Sequence, residues 1–229
     1  NLHFIPGDER NLAVKAALRY LREIGDTVHG ADIEIHKRIP VGAGMAGGSA
    51  DAAAVLRGMN ELFERRVSDA RLEEIAGDVG SDVPFCVRGG TVLAEGRGEV
   101  LSPLPPLPEC VFVICKPDFS ISTPELFKKL DMVRSHHHPD TAGIVAALKT
   151  RDLPQLCRRM YNVFENVDDR RMKAVSEIKS ALLDRGALGA VMTGTGSAVF
   201  GIYGSESAAA AACDALKEDY GFCCTAKPV

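Results

Sequence analysis

The chain has 229 residues, 46% hydrophobic and 25% charged, with a mean hydropathy of +0.01; it is long enough for one large core or two small ones, and this composition excludes a disordered or fibrous protein. A net charge of −4 and a pI of about 5.9 leave no surplus of Lys and Arg to displace counterions from a nucleic-acid backbone, so nucleic acid is excluded as a partner. The seven cysteines are odd in number and irregularly spaced, several of them in apolar runs such as Val111-Phe-Val-Ile-Cys115, which fits reduced buried thiols and not a disulfide framework. No apolar run approaches the ~20 residues that span a bilayer, and no charged-then-apolar leader opens the chain, so a protein without membrane association or secretion is expected.

In chain order, Val14, Leu18, Leu21 and Ile24 fall at helical spacing and predict an amphipathic helix over 11–24. Residues 32–36 alternate acidic with apolar and predict a strand, which Pro40 ends. The glycine-rich stretch 42–48 follows, then an Ala- and Leu-rich helix over 49–63. Ser68 caps a second helix to Asp78, with Leu72, Ile75 and Val79 along one side. Residues 90–94 and 98–101 are strand-like, and the proline-dense stretch 102–108, which cannot continue a ladder, marks the boundary between two halves. The second half opens with a strand over 110–115 and continues with helices near 124–130, 140–149, 152–163 and 168–185. It closes with strand 190–192, loop 193–197, strand 198–203, helix 206–220 and strand 223–227. There is no internal repeat. The layout predicts two α+β lobes with a cleft between them.

The feature richest in chemistry is Pro40-Val-Gly42-Ala43-Gly44-Met45-Ala46-Gly47-Gly48-Ser49. Four glycines in seven residues let backbone N–H groups approach a ligand, and the helix that follows brings its positive end to the same place, so an anionic phosphate is the natural occupant. Gly42-x-Gly44-x-x-Gly47 matches the dinucleotide fingerprint in form only. The acidic residue expected ~20 residues on, at the end of a second strand, is absent, because Glu61 and Glu64 lie in or at the end of the helix. A P-loop is excluded because no Lys-Ser or Lys-Thr follows.

This loop resembles the ATP loop of the superfamily of galactokinases, homoserine kinases, mevalonate kinases and phosphomevalonate kinases. Within it the chain is most similar to the 4-diphosphocytidyl-2-C-methyl-D-erythritol kinase family. The resemblance runs through Asn11-Leu12, Lys37-Arg-Ile-Pro40, Gly80-Ser-Asp82-Val-Pro84-Phe, Arg88-Gly-Gly90, Glu95-Gly-Arg-Gly-Glu99, Ser122-Thr123-Pro124 and Thr193-Gly-Thr195-Gly196-Ser197-Ala-Val-Phe200. It implies a two-lobed α+β GHMP-kinase fold, with a ribosomal-protein-S5-like ATP-binding lobe over 1–103 and a ferredoxin-like substrate-binding lobe over 104–229. It also implies transfer of a phosphoryl group from ATP, carried with Mg²⁺, to the 2-hydroxyl of a cytidine diphosphate derivative in isoprenoid biosynthesis. The same fold acting on homoserine, mevalonate or a sugar is the alternative, and a nucleotide-binding protein without catalysis is a third reading. A cytoplasmic or plastid monomer or homodimer is implied. The family's N-terminal lysine motif and Gly-Tyr-His segment find no match here, so a further roughly 50 to 60 residues ahead of residue 1 are expected.

The resemblance places the catalytic carboxylate at Asp82; as a bare residue, Asp82 is equally well an N-cap. ATP contacts are implied for residues 40 and 42–49, with Asn11 and Lys37 on the adenine side, although both are ordinary surface groups by type. Phe127, with Thr123 and Pro124, is implied as a platform for cytosine; the other reading is a core phenylalanine. Thr195 and Gly196 belong to a second glycine loop that shapes the substrate site or merely turns a hairpin. Ala46 stands where the family has glycine, so either its φ is negative or the phosphate cradle opens slightly. His136-His-His138 reads as a solvated loop and not a metal site, and no metal ligand is assigned.

Overall fold

The computed structural model describes residues 5–133 and 137–229. The chain forms two compact units, one of Asn1–Ile39 and Ala46–Pro103, the other of Pro40–Met45 and Leu104–Val229.

The first unit contains α1 (Leu12–Ile24), α2 (Gly47–Leu62), α3 (Asp69–Gly77), α4 (Val83–Arg88) and an antiparallel hairpin of β1 (Val92–Glu95) and β2 (Val100–Pro103). Asn11 caps α1 through its side chain, and Gly25, at φ 69°, ends it by turning its N–H back onto the last carbonyls. The buried face of α1 is Ala13, Ala16, Ala17, Tyr20 and Leu21; of the expected stripe Leu21 is buried and Ile24 packs on the core, while Val14 and Leu18 stay half-exposed, because small side chains let α1 lie close against Ala52, Ala53 and Leu56 of α2. Asn60 is the polar centre of this core. It accepts from the Tyr20 hydroxyl at 2.9 Å and clamps Val67 through both its carbonyl and its amide, so both polar ends of its side chain are satisfied.

Residues 32–36 are not a strand. Ile33 packs on the core, but among the described residues no neighbour offers these residues a ladder, and alternation alone does not make one. Ser68 does cap α3, accepting from Arg71 at 3.3 Å.

The second unit contains β3 (Val111–Lys116), α5 (Thr123–Leu130), α6 (Thr141–Thr150), α7 (Leu153–Arg159), a 3₁₀ turn (Val163–Asn166), α8 (Met172–Asp184), β4 (Gly189–Met192), β5 (Val199–Tyr203), α9 (Glu206–Leu216) and β6 (Phe222–Ala226). The sheet order is β4-β5-β3-β6 with every neighbour antiparallel, as in Val111 opposite Tyr203 and Cys115 opposite Cys223. With α8 between β3 and β4 and α9 between β5 and β6, this is the ferredoxin-like β-α-β-β-α-β arrangement. Strand β3 alternates strictly: Val111, Val113 and Cys115 pack under Ile178 and Leu182 of α8 and Ala209 and Leu216 of α9. Phe112 faces the other way, onto Leu148, Leu153 and Leu156 of α6 and α7.

Candidate active site

The phosphate-binding potential of the first unit lies in how α2 begins. Ala46 sits at φ 49°, ψ 29°, which rules out the negative-φ reading, and its methyl side chain makes no cap hydrogen bond. The first-turn N–H groups of Gly47, Gly48 and Ser49 therefore point out of a 16-residue helix with no intrahelical acceptor, at its positive end. The Ser49 side chain joins them: it is 8% exposed, and its hydroxyl has no hydrogen-bond partner among the described residues. Lys37 lies beneath this turn, its ammonium bonded to the Gly47 carbonyl at 3.1 Å and to the Asp51 carboxylate at 2.5 Å. Its charge is thus met by Asp51, and it braces the helix entry. A Cβ on Gly47 would meet Ile39 at 2.9 Å, so this glycine is required by packing. Asn11 spends its amide on local structure, accepting from Ala13 and donating to the Pro6 carbonyl.

Asp82 is near this turn. Hypothetical Cβ atoms on Gly48 and Gly80 would both lie 3.7 Å from Leu12, so the entry to α2 and the turn leading to α4 converge on one side chain. Asp82 occupies the N-cap position of α4, yet its carboxylate makes no cap bond and has no hydrogen-bond partner among the described residues. An exposed carboxylate with no local partner does not fit the plain capping reading. The tip of the β1–β2 hairpin lies over it: a Cβ on Gly98, at φ 109°, would come within 3.3 Å of the Ser81 carbonyl and 3.7 Å of the Asp82 carboxylate.

Residues 40–45 belong to the second unit, and there the glycines have a different purpose from the one the sequence suggests. Gly42 (φ 65°) lies against Ser120, and a Cβ on Gly44 (φ 71°) would stand 2.2 Å from the Thr193 carbonyl. Thr193 Oγ1 donates to the Gly44 carbonyl at 3.0 Å, and the Ala198 N–H donates to that of Ala43. The Ser120 hydroxyl reaches the Val41 carbonyl. Gly42, Ala43 and Gly44 thus interlock with the second glycine loop, while Gly47, Gly48 and Ser49 are the part left open. Pro40 and Met45 are half-buried at the two ends of the segment.

The residues expected on the substrate side cluster in the second unit. Thr123, the first residue of α5, shares a 2.8 Å hydrogen bond with Thr195. Pro124 follows in the first turn of α5. Gly196, at φ 82°, has no room for a Cβ, which would meet Met192 at 2.6 Å. Phe127 is 49% exposed, its ring set edge-on to Phe164 at 4.9 Å, whereas Leu126 beside it is fully buried; Leu126, not Phe127, is the core residue of this helix.

His136 lies outside the described residues, and His138 is exposed in a stretch without helix or strand. The sequence reading passed over Asn162 and Glu165, which border the second glycine loop. Their Asn-x-x-Glu spacing at the start of a short helical turn was a capping signature and was legible as one.

Residues 11–90 match the family GHMP kinases N terminal domain and residues 144–221 match GHMP kinases C terminal. The 4-diphosphocytidyl-2-C-methyl-D-erythritol kinase of Clostridium botulinum is 42% identical over 95% of this chain and 77% of its own length. That of Syntrophomonas wolfei is 42% identical over 96% and 77%. A crystal structure of a 4-(cytidine 5'-diphospho)-2C-methyl-D-erythritol kinase superposes with a TM-score of 0.81 at 32% identity, covering 97% of this chain and 79% of the other. The interlocked glycine loops and the open start of α2 are therefore those of a small-molecule kinase, and the chain belongs to the GHMP kinases, within the 4-diphosphocytidyl-2-C-methyl-D-erythritol kinase family.

Proposed function

We propose that the protein transfers the γ-phosphoryl group of ATP to the 2-hydroxyl of 4-diphosphocytidyl-2-C-methyl-D-erythritol, a step of non-mevalonate isoprenoid synthesis. The observation that carries this reading is the uncapped first turn of α2 beside an unpartnered Asp82, in a chain 42% identical to kinases of that name. Three free N–H groups and a helix dipole suit the phosphate chain of a nucleotide. Asp82 would accept the proton of the 2-hydroxyl as its oxygen bonds to the γ-phosphorus; the bond to the bridging oxygen breaks and ADP leaves. Phe127 offers an open aromatic face to the cytosine ring.

Among the described residues no group of three His, Cys, Asp or Glu side chains could hold a metal ion; a magnesium ion would enter with the nucleotide, ligated mainly by its phosphates. It supplies charge neutralisation there when bound. The net charge of −4 supports a small-molecule partner and not nucleic acid, and the bacterial origin of the named relatives supports a cytoplasmic setting. No helix among the described residues is long and apolar enough to cross a membrane.

The test is ADP release from Mg·ATP with the cytidine substrate, homoserine and mevalonate, run on this chain and on the product of its full open reading frame. Turnover of the cytidine substrate alone, lowered about 10²-fold or more by Asp82→Asn with ATP affinity retained, is expected. Turnover unaffected by Asp82→Asn removes Asp82 from the mechanism, and preference for another alcohol overturns the substrate.

A further inference from the structure

The second glycine loop, residues 193–197, contains Gly194 at φ 52° and Gly196 at φ 82°, and glycine-rich backbone has little stiffness of its own. Something must hold it, and one amide does so from behind. Asn162 Nδ2 donates to the Met192 carbonyl at 2.8 Å and to the Gly194 carbonyl at 2.7 Å, so the two bonds straddle Thr193. Its Oδ1 accepts from the Phe164 N–H at 3.0 Å. Glu165 adds a third tie, accepting from the Met192 N–H at 2.7 Å through one oxygen while the other is paired with Lys179.

The two sides of this clamp both lead to Phe127, and one of them also reaches the first glycine loop. On one side, the turn that Asn162 caps carries Phe164, the ring against which Phe127 is set. On the other, Thr193 holds the Gly44 carbonyl, and Thr195 bonds Thr123 at the start of the helix that bears Phe127. We propose that Asn162 is a positioning residue that fixes the second glycine loop, and through it both the Phe127 face that takes the substrate's base and the Gly42–Gly44 segment of the nucleotide loop. The inference rests on the kinase reading above. Its physical basis is that an amide is among the few side chains of this size that give two donors to the loop and one acceptor to the turn at once. An aspartate of the same shape keeps the acceptor and turns a carboxylate onto two carbonyl oxygens.

Asn162→Asp is therefore the sharp variant. Asn162→Ser, which can still cap Phe164 but cannot reach both carbonyls, is the milder one and serves if the first does not fold. In each, KM for the cytidine substrate and KM for ATP are expected to rise about tenfold or more, with kcat changed less, since misplaced contacts weaken both ligands. Amide exchange at 194–196 is expected to quicken about tenfold while Val113 and Ile178 in the sheet core keep their protection. A lower unfolding midpoint with both KM values and loop exchange unchanged would show a merely structural amide and overturn the proposal. If the product of the full open reading frame turns over no cytidine substrate, the substrate reading fails by itself. Exchange at 194–196 then decides the role of Asn162, unchanged protection in both variants again overturning it.

Discussion

Ala46 holds a left-handed conformation that costs a non-glycine residue about 1 kcal/mol or more, at the point where the chain enters α2. Ala46→Gly is expected to raise unfolding stability by about 0.5–1 kcal/mol, since relief of that strain exceeds the entropy glycine adds to the unfolded chain. A denaturation midpoint moved upward at constant m-value is the sign, and a downward shift would mean that the methyl group packs favourably. Phe127→Ala tests a different single residue: stacking a base is worth about 1–3 kcal/mol, so KM for the cytidine substrate should rise about 10- to 100-fold with KM for ATP unmoved. Equal KM values in the two proteins would return Phe127 to a packing role. The identities of these residues were legible in the sequence, but their partners were not. Gly42 and Gly44 stood out as glycines, and the natural reading was approach to a ligand. Their close neighbours, Ser120 and Thr193, lie far along the chain, where no local pattern points to them. Asn11 shows the reverse case, a residue whose role as a helix cap was set by its immediate neighbours.

Among the elements, α5 owes its seat to an ionic cluster. Asp169, just ahead of α8, accepts from Arg171 at 2.6 and 2.8 Å and from Lys129 of α5 at 2.7 Å, and Arg171 also reaches Glu125 at 2.7 Å. The Arg171 guanidinium, with help from Lys129, holds the buried Asp169 carboxyl well below the usual carboxylate range, and Glu125 is lowered for the same first reason. A depressed folded-state value means stabilisation that is complete above the unfolded value of about 4 and is lost as pH falls toward the folded one. Asp169→Asn should therefore lower stability at pH 7 and flatten its fall below about pH 4 relative to the unaltered protein. Parallel slopes in urea midpoints across that range would exclude this cluster as a source of acid sensitivity. The long helices and the strands of the second unit were readable because each buries one face at a regular period. The six-residue α4 was missed because it is too short to show a period, and residues 32–36 misled because alternation records which side chains are wet, not whether a partner strand exists.

For the molecule as a whole, all seven cysteines are free thiols, and burial pushes Cys157 and Cys213 up to about 11, so they remain protonated and inert at neutral pH. Titration with a thiol reagent after denaturation without reductant should find seven thiols, and a count of five or fewer would reveal a disulfide. A last consequence comes from the membership of residues 40–45 in the second unit. The Gly44 carbonyl is held by a hydroxyl 149 residues later in the chain. At synthesis rates of about 5–20 residues per second, that partner leaves the ribosome on the order of ten seconds after the loop does. The helices around Leu56 can pack in the meantime, because their contacts are local, but Gly44 and Ala43 lack their partners Thr193 and Ala198 until those residues are made. The two glycine loops therefore interlock late in synthesis, after the helices of the first unit have had time to pack.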